Sequence, residues 1–318
     1  MNIGAGISIE GGISITPPPP SSKAIFGFGG NATGYKSMTN LVTNTGGVGN
    51  DVTGVGTVRG TLGAAGYGTD KAIFGYGEDG AGNPLSMTNL VSNSGVVATD
   101  TTGVGTARRG IAAASYGTGT AIFGYGTASP GGVQSTTNLV SNTGVVANNT
   151  TGVGTARRWL AAASYGTDKA IFGYGINGSG LSVSLTNKVS NTGVVATDTT
   201  GVGTDRQLLA AAGYGTDKAI FGYGYVGGVG GGVRSMTNLV SNTGVVATDT
   251  TGVGTVRANL AATGYGVDTA MFGYGDDYAG TAYYSITNLV SNTGVVSTDT
   301  TGVGTARAGL AAASYGYA

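Results

Sequence analysis

Apolar residues along this chain come in short bursts, each closed off by Gly, Asn, Asp or Thr. Within residues 157–204 four bursts stand out, 160–165 (A), 169–174 (B), 185–190 (C) and 194–199 (D). Runs this short, rich in Val, Ile, Thr, Phe and Tyr, predict strands, because a helix needs longer 3.6-period stretches with few Gly. G-T-D-K at 166–169 separates A from B and N-T-G at 191–193 separates C from D, so both pairs read as hairpins. Run A, L-A-A-A-S-Y, is almost all small. Ala is a poor strand former, which places A where strands crowd and leave little side-chain room. B carries Ile171 and Phe172, expected to be buried between neighbouring sheets with Phe as the anchor.

The unit recurs. K-A-I-F-G-F-G at 23–29 returns in variant form at 71, 120, 169, 218 and 269, giving six copies in which Phe steps by 48, 49, 49, 49 and 51 residues. Asn of a T-N pair (40, 89, 138, 187, 238, 288) and an Arg (59, 108, 157, 206, 257, 307) keep the same beat. A unit near 49 residues suits a four-stranded propeller blade or a helical pair, and the Gly-bounded runs favour strands. The repeats open on a B run at Lys23 and close on an A run at 309–316 with no B after it. Pairing those two ends would remove exposed sheet edges. The expectation is an all-β, six-bladed β-propeller of four-stranded blades over 23–318, its ring closed by the C-terminal strand completing the first blade, preceded by an arm over 1–22.

Composition narrows the chemistry. Of 318 residues 64 are Gly and 9% are charged, with net charge +0 and neither His nor Cys. No thiol nucleophile, disulfide, His-based triad or usual zinc site can be built from such a set, so no enzyme activity and no cofactor are expected. A balanced charge also argues against nucleic-acid binding. The first basic residue is Lys23 and no apolar run reaches about 18 residues, so neither a secretory signal nor membrane insertion is expected.

The order Arg, small-residue strand, K-A-I-F-G-Y-G, variable loop, T-N-L-V-S-N-T-G and T-D-T-T resembles the kelch motif over about residues 23 to 318. Gly173-x-Gly175 stands in place of the usual double Gly, and the closing Trp is missing from every unit. T-D-T-T-G-V-G-T looks a little like the Asp-box turn of sialidase propellers. Chains of near-identical F-G-Y-G and S-N-T-G-V-V units also look like Gly- and Tyr-rich propeller proteins of tailed bacteriophages, including cyanophages. That likeness implies a virion structural protein, such as a tail fibre, made in the host cytoplasm and residing in the particle. Copper-dependent kelch oxidases use His and Cys-linked Tyr ligands, which this chain lacks.

In such a blade the B-to-C and D-to-A connections share one face. The B-to-C loops differ in every copy, from G-N-A-T-G-Y-K-S-M to D-D-Y-A-G-T-A-Y-Y-S-I, while 238–255 and 288–305 differ only at Ser297. Tyr35, Tyr225, Tyr278, Tyr283 and Tyr284 lie in those loops with Arg234, and Trp159, Arg109 and Arg158 lie in D-to-A connections. Tyr, Trp and Arg over Gly and Ser is a recognition composition. The ligand-binding candidates are Tyr35, Arg158, Trp159, Tyr225, Arg234, Tyr278, Tyr283 and Tyr284, with host-cell glycan as the candidate partner. The repeated Arg and T-N positions read as structural. Asp70, Asp168 and Asp217 read as turn formers on the opposite face, and Glu78-Asp79 and Asp276-Asp277 as solvated loop acids.

The leader alternates as G-I-S-I-E-G-G-I-S-I-T and then runs through Pro17 to Pro20. It reads as a strand on a stiff polyproline spacer, an arm for attachment to other virion proteins in a larger oligomeric assembly. Two rival readings are a stand-alone lectin or adhesin and a glycan-cleaving enzyme using acids among Glu78, Asp276 and Asp277.

Overall fold

A computed structural model describes residues 7–9, 13–15 and 22–317. Among these residues the secondary structure is all β, in small antiparallel sheets of two to four strands. Each repeat builds one sheet in the order A, B, C. In the unit read above, Ala161–Tyr165 pairs with Lys169–Gly173, which pairs with Thr186–Val189. Ala161 sits opposite Gly173, and Gly173 opposite Thr186. The B strand is the middle strand and the most deeply buried, with Ala170, Ile171 and Phe172 wholly inaccessible.

The expected fourth strand forms in one sheet only. Val48–Val52 pairs with Thr39–Val42, whereas in the repeat at 157–204 the D run touches C only at the bridges Val189–Val195 and Thr186–Thr199. Between the two bridges Asn187 Nδ2 donates to the Ala196 carbonyl at 3.0 Å and to Asp198 Oδ1 at 2.9 Å. Asn40 makes the same pair of bonds, to the Gly49 carbonyl and Asp51 Oδ1, in the sheet where the fourth strand does form.

The first sheet draws on both ends of the repeats. Ala311–Tyr317 lies against Ser22–Gly27, with Ala311 opposite Gly27 and Tyr315 opposite Lys23. Thr39–Val42 and Val48–Val52 complete that sheet. The A strands also touch in a cycle, Gly63–Tyr67 against both Ala112–Tyr116 and Ala311–Tyr317. Their small residues permit it: Ser115 Oγ donates to the Gly66 carbonyl at 2.8 Å and Ser164 Oγ to the Ser115 carbonyl at 2.9 Å.

Phe of one sheet fills a socket in the one before it. A Cβ added at Gly173 would lie 2.7 Å from Phe221 Cζ, closer than packing allows, so the Gly after each Phe is the space the next Phe occupies. The same contact recurs from Gly27 to Phe74 and, at the far end, from Gly273 to Phe26. Tyr174 leans on Phe221 with ring centroids 5.1 Å apart, as Tyr274 does on Phe26. The anchor expected of Phe is therefore a Phe–Gly–Tyr joint.

Polar groups knit the same joints. Arg257, with no accessible surface, lies over the Tyr223 ring at 4.5 Å and donates to the Tyr274 carbonyl at 2.7 Å and Asn288 Oδ1 at 2.7 Å. Asn288 Nδ2 donates to Asp299 Oδ1 at 2.8 Å, and Asp299 Oδ2 accepts from Thr255 Oγ1 at 2.6 Å. Burial is the largest single influence on the Asp299 carboxyl and would raise it, but Thr255, Asn288 and Arg257 together hold it below its ordinary value. Asp51, Asp100, Asp198 and Asp249 are lowered by the same balance. The Arg and T-N positions are structural, as read from the repeat.

One repeat breaks the set. Asn149 stands in the Asp position, accepting from Asn138 Nδ2 at 3.0 Å and donating to Thr106 Oγ1 at 2.6 Å, so Arg108 is buried without that carboxylate. Asn149→Asp should stabilise the protein by about 1 kcal/mol at pH 7, read from the urea midpoint, by adding a charge-assisted bond. The five natural Asp have folded values below the unfolded one. Their contribution is therefore complete above about pH 4 and lost as pH falls through the folded values. The Asn149→Asp gain should vanish over the same acid range. A gain that persists at pH 2 would refute the charge explanation.

The leader forms two three-residue strands, Ile7–Ile9 and Ile13–Ile15, paired antiparallel with Ile7 opposite Ile15, rather than the single strand expected. The Pro17 to Pro20 spacer lies outside the described residues.

Candidate functional site

The B-to-C loops and D-to-A connections pair with each other in every repeat. The residue after F-G-x-G makes the contact: Gly30 bridges Ala308, Glu78 bridges Gly60, Thr127 bridges Arg109, and Asp276 bridges Ala258. The A strand follows one step further on. There Thr61, Gly110, Trp159, Leu208, Asn259 and Gly309 form a closed circuit of backbone hydrogen bonds of 2.7 to 2.9 Å, each N–H donating to the preceding carbonyl and Thr61 to Gly309. All six have φ between 53° and 63°, which turns N–H and C=O along the circuit. For Thr, Trp, Leu and Asn that conformation costs about 1 kcal/mol each, held by the surrounding sheets.

Beside this circuit opens a cleft of about 630 Å³, lined by residues from the last, first and second sheets. Thr61, Asn259 and Gly309 belong to both the circuit and the cleft wall. On the cleft floor the first repeat has Gly30 where the second has Glu78 and the sixth has Asp276, and a Cβ at Gly30 would meet the Tyr35 ring at 2.6 Å. Tyr35 crosses that floor, and a Cβ at Gly60 would meet its ring at 2.2 Å.

On one wall Tyr35 Oη donates to Glu78 Oε1 at 2.7 Å, and Arg109 Nη1 is ion-paired to Glu78 Oε2. Burial, reinforced by the Glu78 carboxylate, pushes the Tyr35 phenol well above its usual range, so it is a hydrogen-bond donor at neutral pH. On the other wall Asn259 Nδ2 donates to both oxygens of Asp276 at 3.0 and 3.2 Å, and the Tyr278 N–H donates to Oδ1 at 3.0 Å. Burial is the main influence on Asp276 and raises its carboxyl; those hydrogen bonds oppose it and nearby Asp277 adds to it. Asn31, Thr61, Asp79 and Tyr283 add to the polar lining.

Glu78 and Asp276 are only 9% and 8% exposed, which corrects their reading as solvated loop acids. The pairing with the D-to-A connection carries the position after F-G-x-G inward. Asp79 and Asp277, one step further, do behave as loop acids: Asp79 accepts from the Ala81 and Asn83 N–H groups, and Asp277 from the Thr281 N–H. Lying just after a repeated, buried motif was the sequence signal that could have singled out Glu78 and Asp276.

No protein-family model matches the chain, and no curated protein does either.

Of the eight candidates named from sequence, Tyr35 and Tyr283 line the cleft. Trp159 belongs to the hydrogen-bonded circuit and lies under the Arg158 guanidinium at 4.4 Å. Tyr225 and Tyr278 stack on each other at 3.8 Å between ring centroids, outside the cleft lining. Arg234 donates to Val233 and Gly230 carbonyls of its own loop. Tyr284 is engaged through its backbone, donating to the Gly275 carbonyl at 2.8 Å, and neither it nor Arg234 lines the cleft. Asp70, Asp168 and Asp217 pair with the adjacent Lys in the A-to-B turns. Among the described residues no group of three or more Asp and Glu could hold a metal ion.

Proposed function

We propose that this chain is a six-bladed β-propeller without enzymatic activity, a structural protein of a phage particle surface that recognises host glycan through the Tyr35–Glu78–Asp276 cleft. The cyclic contacts of six like sheets and the pairing of the first and last strands support the propeller. The observation that carries recognition is the contrast between a near-identical scaffold and a cleft made of side chains that do not repeat. Its lining of phenol, carboxylate, guanidinium and carboxamide suits a polyhydroxylated ligand, which needs both donors and acceptors at fixed places. Glu78 is held by Arg109 and Tyr35, which favours binding over acid–base work. The virion part is supported by the likeness of the F-G-Y-G and S-N-T-G-V-V units.

The whole chain on a glycan array and on host cells should give a discrete binding profile, weakened about tenfold or more by Tyr35→Phe and Glu78→Gln, each of which removes a buried charge-assisted hydrogen bond. Trp159→Ala and Tyr278→Ala, outside the cleft lining, should change binding less. A folded chain that binds no glycan would leave the scaffold role alone. Peptides of this chain should also be found by mass spectrometry in purified particles; particles without it would refute the virion assignment.

A further inference from the structure

The two walls of the cleft differ in charge balance. Glu78 has its cation in Arg109, at ion-pair distance. Asp276, more than nine-tenths buried, has only neutral partners, the Asn259 amide and the Tyr278 N–H, and the other charge acting on it is Asp277, of its own sign. A buried carboxylate without a counter-charge is costly, and an incoming cation would recover part of that cost. Asp79 also lines the cleft, but among the described residues no group of three or more Asp and Glu is placed to hold a metal ion. The remaining lining, Tyr35, Asn31 and Tyr283, offers hydrogen bonds rather than an apolar slot for a lysine stem.

We propose that the cleft takes a saccharide carrying a free, protonated amino group, with the ammonium against Asp276 and the ring hydroxyls against Tyr35, Glu78 and Arg109. This rests on the glycan reading and deepens it. An N-acetylated sugar would set a neutral amide where the ammonium belongs and leave Asp276 uncompensated. A neutral sugar would do the same.

The test is calorimetric titration of the whole chain with three probes, glucosamine hexamer, N-acetylglucosamine hexamer and cellohexaose. The glucosamine hexamer should bind at least about tenfold more tightly than the other two, since a charge-assisted hydrogen bond is worth more than a tenfold step. Asp276→Asn, which keeps the shape and one of the two Asn259 bonds, should abolish that preference. Asp277→Asn, outside the cleft lining, should keep it. Equal or tighter binding of the acetylated or neutral hexamer overturns the amine assignment and leaves saccharide recognition standing. Binding of none of the three also overturns it, and the glycan array then decides the wider reading. If Asp276→Asn does not fold, the ranking of the three probes on the unaltered chain is still decisive.

Discussion

A chain ending at Gly309 should lose cooperative folding, with a loss of more than about 5 kcal/mol, comparable to the whole stability of an ordinary domain. The deleted segment contains Leu310, Ala311, Ala313 and Tyr315, all buried, and the whole partner of the Ser22–Gly27 edge. Its removal opens the first sheet and also unseats the contacts with Gly63–Tyr67 and Ala261–Tyr265, so two interfaces of the cycle go together. An exposed, apolar strand edge is a template for aggregation, and the truncated protein should be found in high-molecular-weight material on gel filtration. Adding a peptide of residues 309–318 should restore a melting transition. If the truncated chain instead melts within a few degrees of the full one, ring closure contributes little and the propeller proposal loses its main support.

Arg257→Ala should be the most damaging change at any single polar position of this kind, at about 3 to 5 kcal/mol in urea unfolding. The guanidinium joins Tyr223 of one sheet to the Tyr274 carbonyl and Asn288 of the next, and its loss leaves the Asp299 carboxylate without its nearest cation. Burial lowers the Arg257 guanidinium from its ordinary value, yet it remains charged at neutral pH, as any arginine does. Arg257→Met should recover part of the loss by refilling the volume, whereas Arg257→Lys should not, because one ammonium cannot reproduce a fork aimed at two separate acceptors. Arg108→Ala should cost less than Arg257→Ala, since Asn149 leaves no carboxylate stranded. Equal costs at the two positions would mean that packing over the Tyr ring, and not charge, dominates.

The two effects have one root, the joint between successive sheets. Phe, the following Gly, an aromatic (Phe28 in the first repeat, Tyr in the other five) and Arg each belong to it, and each position repeats at an interval of 48 to 51 residues. That is why a repeat alone was enough to place them as structural. The hydrogen-bonded circuit of Thr61, Gly110, Trp159, Leu208, Asn259 and Gly309 is the counter-example. Its six residues share no chemistry, only a backbone conformation, so no pattern of side chains announces it.

Strand positions, hairpin turns, the interval of the repeat and the buried face of the B strand were all determined by the sequence, because short-range alternation and turn residues set them locally. The D run, expected as a fourth strand, forms one at Val48–Val52 and elsewhere meets C at isolated bridges, while the same Asn bonds are present in both cases. The pairing of Ala311–Tyr317 with Ser22–Gly27 was also legible, because the repeats open on a B run and close on an A run. Only the tertiary structure decided that Tyr35 reaches Glu78 across 43 residues of chain, and that Asn259 and Asp276 face the same cleft as Asn31. Those contacts join segments far apart in the chain. Which loops converge depends on how the sheets pack against one another, and the local order of residues within a loop does not carry that information.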